Sequence, residues 1–119
     1  MTDRFQLVVQ KVNGRRIDEI AETLGIAERV RAIKLDVEGH EAPALRGAST
    51  LIARQRPLIM VEGANRDPGV VEEMQRQGYA HFERQEEGLV SHDTYSEAND
   101  GFWIHRDEIT GWHEKGLIA

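Results

Sequence analysis

Three carboxylates and one imidazole occur within six consecutive residues, at Asp36, Glu38, His40 and Glu41. Two carboxylates held close together can raise each other's proton affinity, bind a cation, or accept hydrogen bonds from a hydroxyl or an amine. An imidazole titrates near neutral pH, so His40 is a candidate general base that the neighbouring acids would orient. We call residues 36–41 the acidic turn, and they are the first candidate for catalysis.

The acidic turn also has a purely structural interpretation. Glu38 and Glu41 can cap the helix that follows and complement its positive N-terminal end. A histidine in a loop, such as His40, is ordinarily exposed to solvent without any chemical role. From the residues alone, both interpretations stay open.

A second candidate place is Glu62 to Asn65, directly after the most apolar run of the chain, residues 58–61. Ligands of open α/β sheets bind beyond the carboxyl ends of the strands, where both candidate places would lie. The remaining histidines lack the spacing of a metal-ligand pattern, so we predict no dedicated metal site. These residues are His81, His92, His105 and His113.

The elements that must position these residues alternate between strand and helix. Apolar runs predict strands over residues 5–12, 32–37, 58–61, 79–84 and 101–105, with a loop over 85–100. Helices fill the first three intervals, with Gly25 closing the first, Gly47 able to divide the second, and Asp67-Pro68 opening the third. We expect an α/β fold whose sheet is mostly parallel with an antiparallel final strand, and helices on its faces.

The composition limits the classes of function. The 119 residues fit one small domain, and 39% hydrophobic and 30% charged residues are typical of a globular chain. A formal net charge of -6 disfavours nucleic acid as a partner, and the absence of cysteine excludes thiol catalysis and disulfides. No apolar run approaches the ~20 residues of a membrane span. We therefore expect a cytoplasmic protein with neither nucleic acid nor membrane as a partner.

Residues 33–41, Ile-Lys-Leu-Asp-Val-Glu-Gly-His-Glu, with 44–48, Ala-Leu-Arg-Gly-Ala, resemble the most characteristic stretch of the FkbM-type methyltransferases. The resemblance continues on both sides. Residues 17–20 are similar to the leucine-aspartate segment that precedes that stretch, residues 57–62 to the following strand, and residues 99–104 to the terminal strand. These segments occur in the family's order and cover most of the chain.

The resemblance implies half of a Rossmann-like class I methyltransferase sheet and S-adenosylmethionine as cofactor. It also implies methyl transfer to an oxygen of a small molecule or sugar. Asp36 would lie nearest the transferred methyl group, and substrate-binding roles would fall to Glu62 and Asn65. The residues implied for the catalytic side of the cleft are Asp36, Glu38, His40 and Glu41.

The family's glycine-rich loop has no counterpart here, since only four residues precede Phe5 and no G-x-G-x-x-G follows a strand. We therefore expect residues 1–119 to form a single truncated methyltransferase-like domain that lacks the N-terminal cofactor-binding half. Its binding of S-adenosylmethionine should be weak or absent, and no cofactor-binding residue can be assigned.

The missing half should leave one edge of the 32–37 strand open, and open edges recruit other strands. We expect a homo-oligomer or a complementing N-terminal half as partner, beside the small-molecule acceptor. The alternative is a non-catalytic remnant, or an oligomerising interaction module of the same fold, in which the acidic turn only caps a helix.

Overall fold

A computed structural model describes residues 5–9, 16–36, 39–62, 67–91 and 100–119. The strands are β1 (Phe5–Val9), β2 (Val30–Leu35), β3 (Leu58–Glu62), β4 (Tyr79–Gln85), β5 (Gly88–Ser91) and β6 (Asp100–His105). The helices are α1 (Ile17–Leu24), α2 (Glu41–Arg46), α3 (Ser49–Gln55), α4 (Pro68–Arg76) and α5 (Ile109–Glu114). Short 3-10 turns, Ala27–Arg29 and Arg106–Glu108, precede β2 and α5.

All six strands join one sheet in the order β1-β2-β3-β6-β4-β5. The pairs β1–β2 and β2–β3 are parallel, whereas β3 with β6, β6 with β4, and β4 with β5 are antiparallel. The predicted mostly parallel, Rossmann-like half-sheet is therefore wrong, because three of these five pairings are antiparallel. The reason is that β4 and β5 form a hairpin, and β6 lies between β3 and β4, antiparallel to both.

The strand β5 lies in the segment for which the sequence predicted a loop. It pairs with β4 from Phe82 to Gln85 and leaves only Glu86 and Glu87 between the two strands. On its other side the Leu89 N–H donates to the Leu117 carbonyl at 2.8 Å, and the Ala119 N–H donates to the Leu89 carbonyl at 2.9 Å. Residues 117–119 thus cover this edge of the sheet.

The edge of β2 that was expected to be open is paired within the chain. β1 runs parallel to it, with Gln6 opposite Ala32 and Val9 opposite Leu35. Among the described residues, the exposed edge on this side of the sheet therefore belongs to β1.

Helices α1 to α4 agree with the signals in the sequence, whereas α5 was not predicted. Asp67 caps α4 by accepting a hydrogen bond from the Gly69 N–H at 2.8 Å, and Pro68 occupies the first turn as predicted. Gly25 adopts a left-handed conformation with φ 70° after α1, which is the predicted C-terminal cap. The division predicted at Gly47 is also present, because α2 ends at Arg46 and α3 begins at Ser49.

Asp18 links α1 to α3 through hydrogen bonds to residues far away in the sequence. Its two carboxylate oxygens accept hydrogen bonds from the Thr50 N–H at 3.0 Å and the Leu51 N–H at 2.9 Å. Its own N–H donates to the Gly47 carbonyl at 2.9 Å. Asp18 therefore supplies the side-chain cap for the first turn of α3.

Two apolar clusters lie on opposite faces of the sheet, as the alternation of side chains along strands requires. Helices α1 to α4 cover the larger cluster, which contains Trp103 of β6. The neighbouring residues Phe102 and Ile104 face the smaller cluster, which α5 and residues 117–118 cover. None of the helices in the described part of the chain combines the length and apolar character needed to traverse a bilayer.

Candidate functional site

The acidic turn begins where β2 ends, at the edge of the sheet where β3 also ends. The parallel register places Leu35 opposite Val61, so Asp36 lies level with Glu62, the last residue of β3. In sequence, β2 precedes α2 and β3 precedes α4, and ligands of open α/β sheets bind beyond such strand ends. This edge, which we call the carboxyl edge, is where the predicted catalytic and substrate-binding residues begin.

Glu41 is the residue of the turn that the structure fixes most firmly. It is the first residue of α2, its side chain is 3% exposed, and its Oε1 accepts a hydrogen bond from the Gly39 N–H at 2.9 Å. Gly39 has φ +90°, a conformation that favours glycine and lets the chain fold back toward the helix. Glu41 thus stabilises the shape of the turn.

Asp36 and His40 are more accessible than Glu41. Asp36 is half-buried, and its carboxylate has no ion pair or hydrogen bond among the described residues. His40 is exposed at the N-terminal boundary of α2, and its side chain makes no capping hydrogen bond. An acceptor molecule at this edge would therefore meet a free carboxylate and an imidazole.

The structure brings together only part of the predicted site. Asp36, His40 and Glu41 are described with their side chains, whereas Glu62 is placed by its backbone alone. Glu38 and Asn65 lie outside the described residues. Their roles, and the proposed pairing of Asp36 with Glu38, stay predictions.

One acidic residue at this edge was not among the predicted site residues. Asp100 is the first residue of β6, and the antiparallel register places it opposite Glu62. The signal was available, because an antiparallel final strand begins at the edge where the parallel strands end. Asp100 therefore joins the candidates for this site by its position in the sheet.

The first turn of α4 closes one side of the carboxyl edge. A Cβ atom added at Gly69 would lie 3.4 Å from the Cβ of Ala42 in α2, so the two helices pack closely here. The Asp67 carboxylate lies in the same turn, where it is used as the cap of α4. Among Asp36, Glu41 and Asp67, the Asp36 carboxylate is thus the one that has no hydrogen-bond partner within the described residues.

The chemistry available at the carboxyl edge is that of a proton acceptor. A carboxylate without partners can accept a hydrogen bond from a hydroxyl group and then its proton. No three acidic or histidine side chains within the described ranges are arranged to hold a metal ion. The described depressions of the surface lie elsewhere, one beside α5 and one between α1 and α3.

Comparison with known protein families gives one match. A family model described as the methyltransferase FkbM domain matches residues 3–87, which is more than half of the 119-residue chain. The matched region contains β1 to β4 and the whole acidic turn, together with Glu62 and Asn65. No curated protein and no solved structure shows a significant match to the chain.

Proposed function

Because the chain belongs to the FkbM methyltransferase family, we propose that it forms the acceptor side of an S-adenosylmethionine-dependent enzyme. The proposed acceptor is a hydroxyl oxygen of a small molecule or a sugar. The observation that carries this proposal is the Asp36 carboxylate, which has no partner in the described part of the chain and follows β2 level with Glu62.

Asp36 is the proposed general base. Methylation of an oxygen requires the hydroxyl proton to leave as the new bond forms, and a nearby carboxylate can accept that proton. Asp36 is half-buried, so a bound acceptor would exclude water from it and strengthen the hydrogen bond. Glu62 is proposed to bind the acceptor from the adjacent strand, with Asn65 and Asp100 beside it.

The other residues of the acidic turn have distinct proposed roles. Glu41 is a positioning residue, because its buried carboxylate holds the Gly39 N–H and thereby the path of the turn. His40 is exposed and is proposed to contact the acceptor or to relay its proton to water. Glu38 is proposed to flank the acceptor, as its position between these residues suggests.

The cofactor requires residues that the chain itself does not provide. S-adenosylmethionine is the methyl donor that the family suggests, yet no G-x-G-x-x-G occurs in the sequence. On the side of β2 away from β3, the described neighbour is β1. The residues after β1 read Gln-Lys-Val-Asn-Gly, which is not a glycine-rich cofactor loop. The described residues therefore do not fit the cofactor.

We propose that the cofactor-binding elements come from a complementing polypeptide, and that a second copy of the chain is the alternative partner at the same edge of the sheet. The exposed edge of β1 is where such a polypeptide would add strands. A cytoplasmic location is part of the same proposal, and the cysteine-free composition suits a reducing compartment.

Calorimetric titration with S-adenosylmethionine tests the cofactor part of the proposal. The chain alone should give weak or no saturable heat, and the chain mixed with the N-terminal half of an FkbM-type enzyme should give clear heat. Transfer of a labelled methyl group should then be followed with a panel of sugars and small alcohols. Labelled ether products from the mixture would support the proposal.

The competing function is a non-catalytic module of the same family. The observation in its favour is that Glu41, one of the four predicted catalytic residues, is buried and accepts a hydrogen bond from the Gly39 N–H within the acidic turn. If the mixture neither binds S-adenosylmethionine nor labels any acceptor, this alternative is preferred. Sedimentation or light scattering would then show whether the module self-associates.

A further inference from the structure

A groove lies at the opposite edge of the sheet, where β2 and β3 begin and β6 ends. Its walls come from the start of β2, the end of α3, and the helical segment after β6. The lining residues that matter here are Arg31, Arg56, Glu108, Gly111, Trp112 and Lys115. We call this the amino-edge groove.

The charge of the amino-edge groove is opposite to that of the whole chain. Arg31, Arg56 and Lys115 line it together with the single carboxylate of Glu108, whereas the chain has a formal net charge of -6. The Arg31 guanidinium is exposed and has no ion pair or hydrogen bond among the described residues. Arg56 pairs with Asp107 at 3.3 Å, in a contact that is open to solvent.

Arg56 occupies a backbone position where glycine would be the ordinary residue. It ends α3 in a left-handed conformation with φ 47°, and no other non-glycine residue in the described ranges has a positive φ. The neighbouring Pro57 carbonyl accepts a hydrogen bond from the buried Tyr79 hydroxyl at 2.8 Å, which holds this corner in place. Backbone strain of this kind clusters at ligand-binding sites, so it supports a role for the Arg56 side chain in the groove.

The groove also has an aromatic wall and free space. Trp112 is half-buried beside the groove, and the Lys115 ammonium lies 5.0 Å from the centre of its ring. A Cβ atom added at Gly111 would meet nothing within 4 Å, so the groove is open at this point. A flat ring can pack against the indole while an anionic group meets the cations.

We propose that the amino-edge groove binds a small organic anion in which a phosphate or carboxylate group adjoins a flat ring. The planar guanidinium groups of Arg31 and Arg56 match the oxygens of either anion. Trp112 contacts the ring, and the open space at Gly111 admits it.

This groove is separate from the acidic turn. Arg31 and Asp36 lie at opposite ends of β2, about 16 Å apart at the usual rise of a strand. The carboxylates of the carboxyl edge repel an anion, whereas the amino-edge groove attracts it. The proposal therefore does not rest on the methyltransferase function, and either can fail without the other.

Fluorescence titration of the whole chain with phenyl phosphate tests the proposal. Trp112 is the partly exposed indole in the groove, whereas the other tryptophan, Trp103, is 1% exposed in the core. Phenyl phosphate should change the Trp112 emission in a saturable way, and added salt should weaken the effect. Benzoate, inorganic phosphate and phenol, titrated in parallel, separate the contributions of the anion and the ring.

Two variants should reduce or abolish the binding of phenyl phosphate while the fold is preserved. Arg56→Gly deletes the guanidinium at a position that favours glycine, and it should weaken binding of phenyl phosphate by about tenfold to a hundredfold. Gly111→Leu places a side chain in the open space and should abolish the binding. Thr110→Leu adds the same side chain at the preceding, exposed residue and should leave the affinity unchanged.

The outcomes are distinct. A weaker affinity in Arg56→Gly and loss of the saturable change in Gly111→Leu, with an unchanged affinity in Thr110→Leu, support the groove. The absence of a saturable change with both phenyl phosphate and benzoate overturns the proposal. An affinity that is unchanged in both Arg56→Gly and Gly111→Leu also overturns it. If inorganic phosphate binds as tightly as phenyl phosphate, the role of the ring is overturned.

Discussion

The two edges of the sheet are held in different ways. At the amino edge, contacts join residues far apart in sequence, such as the Tyr79 hydroxyl with the Pro57 carbonyl and the Arg106 N–H with the Gly78 carbonyl. At the carboxyl edge, Glu41 and Asp67 each accept a hydrogen bond from an N–H group two residues away, and Asp36 makes none among the described residues. We infer that the amino edge contributes stability and the carboxyl edge keeps polar groups available for a ligand.

The largest expected effect is on activity, at the carboxyl edge. Asp36→Asn keeps the size of the side chain but removes the proton acceptor, so methyl transfer in the complemented enzyme should fall about a hundredfold or more. The melting temperature should stay close to that of the parent chain, because Asp36 has no described partner to lose.

The matched control is Glu72→Gln, which makes the same chemical change on the exposed face of α4. It should change neither the activity nor the melting temperature. Equal losses of activity in both variants would contradict the role of Asp36, and a large loss of stability in Asp36→Asn would contradict the division between the edges.

The next effect is on stability, at the junction of α1 with α3. Asp18→Ala leaves the Thr50 and Leu51 N–H groups without their cap, and the free energy of unfolding should fall by about 1–2 kcal/mol. Urea denaturation measures this change. Asp18→Asn should recover part of the loss, because its amide oxygen can still accept one of the two hydrogen bonds.

A somewhat smaller loss is expected from Tyr79→Phe at the amino edge. The variant removes a buried hydroxyl and leaves the Pro57 carbonyl without its donor, at a cost of about 1 kcal/mol in the free energy of unfolding. A loss within the error of the measurement would weaken the assignment of stability to this edge.

The same residue predicts the behaviour of the chain in alkali. Burial raises the pKa of the Tyr79 phenol well above its ordinary value of about 10, and the nearby Glu108 carboxylate raises it further. The folded chain therefore keeps a proton that the unfolded chain releases above pH ~10, so stability should decline as the pH rises beyond that value. Tyr79→Phe should show a smaller alkaline decline.

The smallest effect is expected at Arg56 and has the opposite sign. Arg56→Gly relieves the left-handed backbone and gives up only a solvent-exposed ion pair with Asp107. The chain should gain about 0.5–1 kcal/mol in the free energy of unfolding. A loss of stability would mean that the Asp107 pair contributes more than exposed pairs usually do.

Much of the local structure could be predicted because its signals lie within a few residues of each other. The Asp67-Pro68 start of α4, the Gly25 cap and the division at Gly47 all depend on short-range chemistry. The family resemblance of residues 33–48 also proved correct, since the FkbM domain model matches this region.

The sheet topology could not be predicted, because its causes are not local. The hairpin of β4 and β5 turns at Glu86 and Glu87, which lack the Asn-Gly or Asp-Gly signal of such turns. On its other side, β5 is paired through Leu89 with residues 117–119, far along the chain. Likewise, nothing near Asp18 indicates that its partners lie more than 30 residues later.

The C-terminal residues that lie along β5 have a consequence for handling the protein. A Cβ atom at Gly88 would approach the Leu117 carbonyl oxygen to 2.8 Å, and Gly88 has φ +129°. An alanine there would displace residues 117–119 and expose the edge of β5. Precipitation during purification, rather than a lower melting temperature, would be the first sign of that change. A fusion partner attached after Ala119 would disturb the same pairing of residues 117–119 with β5.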